Sequence, residues 1–194
     1  MPYRRAGGIR GAGFGPVDPG QITDPLEVIL QTHHWQRAIC VEIERLVQAP
    51  ALTQADCQPV LEFLTTAFTD HIADEEEDLF PLMRKRCPPQ DEIESTLDAV
   101  RLDHRVSRGF LPTIVKALER VQEVNASFTR LEKQLLSQFV VHERRHLILV
   151  NAIVLPLARV RLSEADKRKI HAHMCARRGL AGGTAGGGPV RGMP

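Results

Sequence analysis

The stretch "DHIADEEEDLFPLM", Asp70–Met83, decides how the chain folds, because nothing in it breaks a helix before Pro81. At a period of 3.6 residues, His71 and Glu75 fall on the side that Leu61, Leu64 and Phe68 also occupy. That apolar side is the one a helix buries. An imidazole and a carboxylate on a core-facing stripe need a reason, since an ionised group buried without partners is costly.

Outward from this segment the same period recurs four times. A first helix begins at "TDPLE", where Thr23 or Asp24 can cap and Pro25 suits the first helical position. Its stripe is Leu26, Ile29, His33, Gln36, Cys40, Ile43 and Val47, and Pro50 lies beyond its end. The second is expected from near Pro59 to about Cys87, with Leu61, Leu64, Phe68, His71, Glu75, Leu79 and Leu82 inward. The third, from about Gln90 to Val124, places Ile93, Leu97, Val100, His104, Ser107, Leu111, Ile114, Leu118 and Val121 on one face. The fourth, from about Ala126 to Arg161, is read with Phe128, Leu131, Leu135, Phe139, His142, His146, Val150, Ile153 and Leu157 inward. Pro112 and Pro156 are expected to bend their helices. A short fifth helix follows Ser163, where "SEAD" reads as a cap with an acid three residues later.

These patterns predict an all-α chain: an antiparallel up-and-down four-helix bundle over residues 23–178, with a short fifth C-terminal helix. Residues 1–22 and 179–194 are Gly-rich, lack periodicity and are expected to be disordered tails.

Each of the four stripes is interrupted by histidine: His33, His71, His104 and His146. Odd helices meet theirs early and even helices late, so reversal of direction at each turn brings all four to one depth. The second and fourth helices also look like copies at an offset of 75: His71 matches His146, Leu79 matches Val154, and Phe80-Pro81-Leu82 matches Leu155-Pro156-Leu157. Four imidazoles and one carboxylate secluded together would consume much of a typical folding stability of ~5–15 kcal/mol. A cation removes that cost by accepting their lone pairs. Nitrogen and oxygen donors without thiolate suit iron, zinc or manganese.

Composition sets the limits. The chain of 194 residues is 43% hydrophobic with a net charge of +1. Near-neutral charge and few aromatics (one Trp, one Tyr, seven Phe) argue against a nucleic-acid partner. The four cysteines, Cys40, Cys57, Cys87 and Cys175, form no CxxC, so a reducing compartment is expected. The N-terminus has no apolar core of a secretory signal, and "LILVNAIVLPLA" is too short to span a bilayer. A cytoplasmic protein without a membrane partner is the expectation.

With these residues in view, the chain resembles the hemerythrin-like family, helical bundles with an HHE cation-binding domain. The resemblance covers about residues 24–161, and its strongest marks are "HIADEEEDLFP" and "RRHLILVNAIVLPLA". It implies that each helix pair gives a histidine and a His-x-x-x-Glu, whose carboxylates bridge two non-haem iron ions that bind or report on a small diatomic ligand. Family members act in sensing oxygen, nitric oxide or iron, or in storing iron. Carried over to this chain, the metal ligands are His33, His71, Glu75, His104 and His146. The chain departs at Val150, where the repeat calls for a second glutamate. Valine donates nothing, so one bridging carboxylate is missing, and one or two ions are expected. Asn151 could offer a neutral oxygen and His142 a further nitrogen.

The other polar residues receive bland readings. Glu76, Glu77 and Asp78 are read as a solvated face; His34, His171 and His173 as facing solvent; Gln36 and Cys40 as packing. Two alternatives compete. "HERRH", His142–His146, literally matches the H-E-x-x-H of zinc hydrolases, with Glu164 as a third ligand. The other alternative is a helical interaction module without metal. No catalytic residue is assigned, and binding is expected rather than catalysis.

Overall fold

A computed structural model describes residues 15–180. The chain is all-helical, and no strand occurs among the described residues. Helix α1 spans Pro25–Gln48 and is capped by Asp24, whose carboxylate accepts from the Leu26 amide at 3.0 Å. Helix α2 runs over 54–86, α3 over Ile93–Val124, α4 over 130–161 and α5 over Glu164–Arg177.

Helix α2 starts five residues before the position expected from Pro59. A capping box between Thr53 and Asp56 satisfies the first-turn amides, and Pro59 is carried inside the helix. Ser163 and Asp166 form the same reciprocal pair ahead of α5, as "SEAD" predicts. Asn125, with φ of 49°, ends α3 in the left-handed conformation that asparagine tolerates.

The prolines act unequally. Helix α3 continues unbroken through the exposed Pro112. In α2 and α4, by contrast, a widened π-helical turn precedes the proline: Asp74–Leu79 before Pro81 and Val150–Val154 before Pro156. A helical proline lacks its N–H and crowds the carbonyl four residues back. Those carbonyls, of Glu77 and Ala152, lie in the two widened turns, where an extra residue per turn relieves the crowding. The offset-75 repeat is thus visible in the backbone.

The stripe read for α4 needs correcting: Ile153 lies inside the π turn, which shifts the helical phase there, while Leu131 sits in the helix's first turn, well before it. Leu131 is 76% exposed and Ile153 43% exposed, whereas Leu136, Val140, Leu147 and Val154 are buried. The α1 stripe is buried along its whole length.

Helix α1 packs on α2 and α4, and α3 also packs on α2 and α4. The apolar core falls into two clusters. One takes Trp35–Val47 of α1, Cys57–Ile72 of α2, Ile114–Val121 of α3 and Leu136–Val140 of α4. The other takes Leu26–Ile29 of α1, Leu79–Met83 of α2, Ile93–Val100 of α3 and Val150–Ala158 of α4. On every one of the four helices the histidine lies at the seam between the clusters, so the four share a depth.

Helix α5 packs on α1 and on the widened turn of α2. Residues 15–22, expected to be disordered, instead lie against the second cluster through Val17 and Ile22, and His171 Nε2 meets the Pro19 carbonyl at 2.8 Å. Residues 1–14 and 181–194, the rest of the expected tails, lie outside the described residues. No helix among the described residues is long and apolar enough to cross a membrane, and no disulfide occurs among them.

Candidate metal centre

Five residues meet in the seam. His33, His71, Glu75, His104 and His146 are each at most 2% exposed. Helix α1 supplies His33 and α3 supplies His104, each from the core stripe three residues before another buried polar residue (Gln36, Ser107). Helix α2 supplies His71 and, one turn on, Glu75 from the second position of its widened turn. His146 lies one turn before the matching widened turn in α4.

Glu75 is the hub. His33 Nε2 lies 3.4 Å from its Oε1; His104 Nε2 and His71 Nε2 lie 3.0 and 3.8 Å from its Oε2. Two sets of donor atoms, each within 4.8 Å of one another, share this carboxylate: His33, His71 and Glu75, and Glu75, His104 and His146. His33 Nε2 and His71 Nε2 face each other at 3.1 Å. Neither Glu75 oxygen is engaged in an aligned hydrogen bond, and His71 Nδ1, His104 Nε2 and His146 Nδ1 lack partners too. Buried polar atoms are normally paired. At the hub two unpaired carboxylate oxygens and His104 Nε2 stand together with the other donors of both sets, an arrangement a cation satisfies, so the residues fit a metal ion.

The electrostatics have definite causes. Burial drives His71 well below the usual imidazole range and His146 down to about 3, which leaves both neutral, as metal ligands must be. Burial opposes charge on Glu75 as well, but His71, His104 and His33 around it more than offset this, and its carboxyl is held well below the usual range. Burial also disfavours a charged His104, yet Glu75 and Glu76 outweigh it and raise the ring to about 9. Phe80 stacks on that ring with the planes 4° apart, which fixes its orientation.

Two further candidates, Asn151 and His142, lie outside the two donor sets. Asn151 turns its Oδ1 to His33 Nδ1 at 2.7 Å, so it fixes the tautomer that leaves the His33 Nε2 lone pair facing the hub. His142 lies half-buried with Nε2 at 3.0 Å from the Asp103 carbonyl, because its phase on α4 differs from that of His146. The HERRH motif gathers no third ligand here: neither donor set includes His142 or Glu164, Glu143 is buried in the core, and Glu164 starts α5 and pairs with Lys167.

The bland readings fare unevenly. Glu77 is exposed, as read. Glu76 instead backs His104, with Oε1 2.9 Å from Nδ1, and is gripped by Arg108. Asp78 is only 6% exposed and meets His173 Nδ1 at 2.5 Å. His173 is exposed, as read, although its Nδ1 meets Asp78, whereas His171 and His34 are half-buried and His171 bonds the Pro19 carbonyl.

Gln36 does more than pack. With Ser107 it donates to Glu143, both at 2.5 Å, so α1, α3 and α4 each place a polar group three residues from their histidine. Glu143 is 1% exposed, and burial pushes its carboxyl up to about 7, with His104 pulling it down and Asp103 pushing it up. A carboxyl raised in the folded state binds its proton more tightly than in the unfolded chain. Stability therefore falls as pH rises between about 4.5 and 7, by about 3 kcal/mol at ~1.4 kcal/mol per unit. In Glu143→Gln the amide oxygen still accepts from Gln36, the amide N–H donates to the Ser107 hydroxyl in place of accepting from it, and the side chain cannot ionise. Denaturant unfolding of the metal-free proteins across that range should show the loss in the parent and not in the variant.

Comparison with known proteins agrees with this geometry. Residues 20–83, which span α1 and nearly all of α2, match the family model of the hemerythrin HHE cation binding domain, over about a third of the chain. No curated protein matches the sequence.

Proposed function

We propose that this chain, with its hemerythrin HHE segment over residues 20–83, is a hemerythrin-like metal-binding protein holding non-haem iron in the core of a helical bundle. The observation that carries the reading is Glu75, a fully buried carboxylate shared by two sets of nitrogen donors from four helices. We read the helices as an antiparallel up-and-down four-helix bundle with α5 added at its end. The two core clusters support this, since one gathers the starts of α1 and α3 with the ends of α2 and α4.

In this reading His33 and His71 hold one ion, His104 and His146 another, and Glu75 reaches both. Iron bound there supplies reversible coordination of a small diatomic ligand such as dioxygen or nitric oxide. The chain's own residues hold the donors in place and exclude water: Asn151 and Glu76 orient His33 and His104, Phe80 stacks on His104, and the apolar clusters close the layer from both ends. We read the chain's role as sensing that ligand, or iron itself, in the cytoplasm. Zinc and manganese are the other ions the donor set accepts.

Val150 defines the departure from the family pattern. It is fully buried at the start of the α4 widened turn, the repeat position of Glu75. Val150→Glu should destabilise the metal-free protein by several kcal/mol, since a carboxylate is buried without partners. Iron loading should restore the lost stability and raise iron affinity. Thermal melts with and without metal, with iron counted by elemental analysis, measure both effects.

Anaerobic Fe(II) loading of the purified chain tests the reading itself. Retained iron with ligand-to-metal absorption in the visible supports it. Bound zinc with a peptidase activity lost in Glu143→Gln would favour the hydrolase, and failure to retain iron, zinc or manganese would leave the metal-free interaction module.

A further inference from the structure

The two donor sets share Glu75 and nothing else. Behind His104 stands the Glu76 carboxylate, 2.9 Å from Nδ1 and oriented by the Arg108 guanidinium at 2.9 and 3.2 Å. His146 Nδ1 has no hydrogen-bond partner; the Asp103 carboxylate, with Oδ2 4.0 Å away, adds negative charge near it without orienting it. The other set has no carboxylate behind it. His33 Nδ1 faces the neutral Asn151 amide oxygen, and His71 Nδ1 has no partner.

A carboxylate behind a ligating imidazole makes the ring a stronger donor and places negative charge close to the cation; an amide only fixes its orientation. Val150 removes the second shared carboxylate that would even out the two halves.

We propose that the halves are unequal: the His104–His146–Glu75 half takes a first divalent cation tightly, and the His33–His71–Glu75 half takes a second loosely and exchangeably. This inference rests on the metal-binding reading above. Its consequence is a protein that holds one ion when free metal is scarce and two when it is plentiful, so occupancy of the His33 half reports metal availability.

The test is an anaerobic titration of the full chain with Fe(II), repeated with Co(II) as a spectroscopic probe, following heat and cobalt visible absorption. Two steps separated by at least ~10-fold in affinity are expected. Glu76→Gln should weaken the first step by ~10–100-fold, the usual effect of losing an outer partner, and leave the second nearly unchanged. His33→Ala should abolish the second step and keep the first. A gain-of-function variant guards against misfolding: Asn151→Asp places a carboxylate behind His33 and should tighten the second step toward the first. Two indistinguishable steps in the parent, or a first step lost in His33→Ala, would overturn the inequality while leaving metal binding intact. Absence of binding by either cation would overturn the metal-binding reading and the inequality with it.

Discussion

Glu75→Gln should abolish binding of both metal ions at once. Every other donor belongs to one half of the centre, so its loss removes one ion; Glu75 alone is common to both sets. It is also the only carboxylate in either set, and two divalent cations among neutral imidazoles would be left with no anion in contact. The amide keeps the shape of the side chain and one oxygen, but not the charge. The expected loss in affinity exceeds the ~10–100-fold typical of an outer partner. The metal-free fold should survive, because a neutral amide is less costly to bury than a carboxylate whose two oxygens have no aligned donor. The parent's melting temperature should therefore rise on adding Fe(II) or Zn(II), and that of the variant should not move. A variant that still binds two ions with parental affinity would show that Glu75 is not the shared ligand.

The convergence on Glu75 was legible in the sequence because it depends on two local quantities. One is the helical phase of each histidine, and the other is its distance from the helix ends. Both survive folding: α1 and α3 keep a regular period up to their histidines, and although α2 carries a widened turn over Phe63–Ala67, His71 still faces inward beyond it. The α4 stripe was misjudged where neither quantity helps. The histidine itself was placed correctly, but a sequence period cannot reveal the widened turn over Val150–Val154, and Ile153 was assigned inward on the wrong side of it.

Glu76 and Asp78 were misread for a different reason. They look like a solvated face along α2, and nothing local says that Arg108 of α3 reaches Glu76, or that Arg177 and His173 return from about 100 residues away to cover Asp78. Glu143 was visible only as part of HERRH. The signal that finds it is the pair of polar residues, Gln36 and Ser107, already on the inward stripes at one turn from the histidines. Two amide or hydroxyl donors at that depth on α1 and α3 call for an acceptor on a facing helix.

The clasp that escaped the sequence carries the largest expected effect on stability. Asp74 is 1% exposed, and among the described residues the charges that pair with it are the guanidinium groups at the end of α5. Arg178 Nη2 and Nη1 donate to its two oxygens at 2.6 and 3.1 Å, and Arg177 donates to Oδ1 while its other nitrogen reaches Asp78 Oδ2 at 3.0 Å. Removing both cations with Arg177→Ala and Arg178→Ala together strands a buried carboxylate, a change that typically costs ~3–5 kcal/mol. Denaturant unfolding of the metal-free double variant should show that loss. Adding Asp74→Asn should recover a large part of it, because the stranded charge, and not the lost packing of α5, is the source. Recovery distinguishes the two explanations: if Asp74→Asn restores nothing, the arginines act through their aliphatic stems. The same variant reaches the metal centre. Asp74 and Glu75 are consecutive in one widened turn, which α5 covers from outside. Releasing α5 should therefore weaken metal binding in the double variant even though no donor has been touched, and Asp74→Asn, which restores stability without restoring the clasp, should leave that weakening in place.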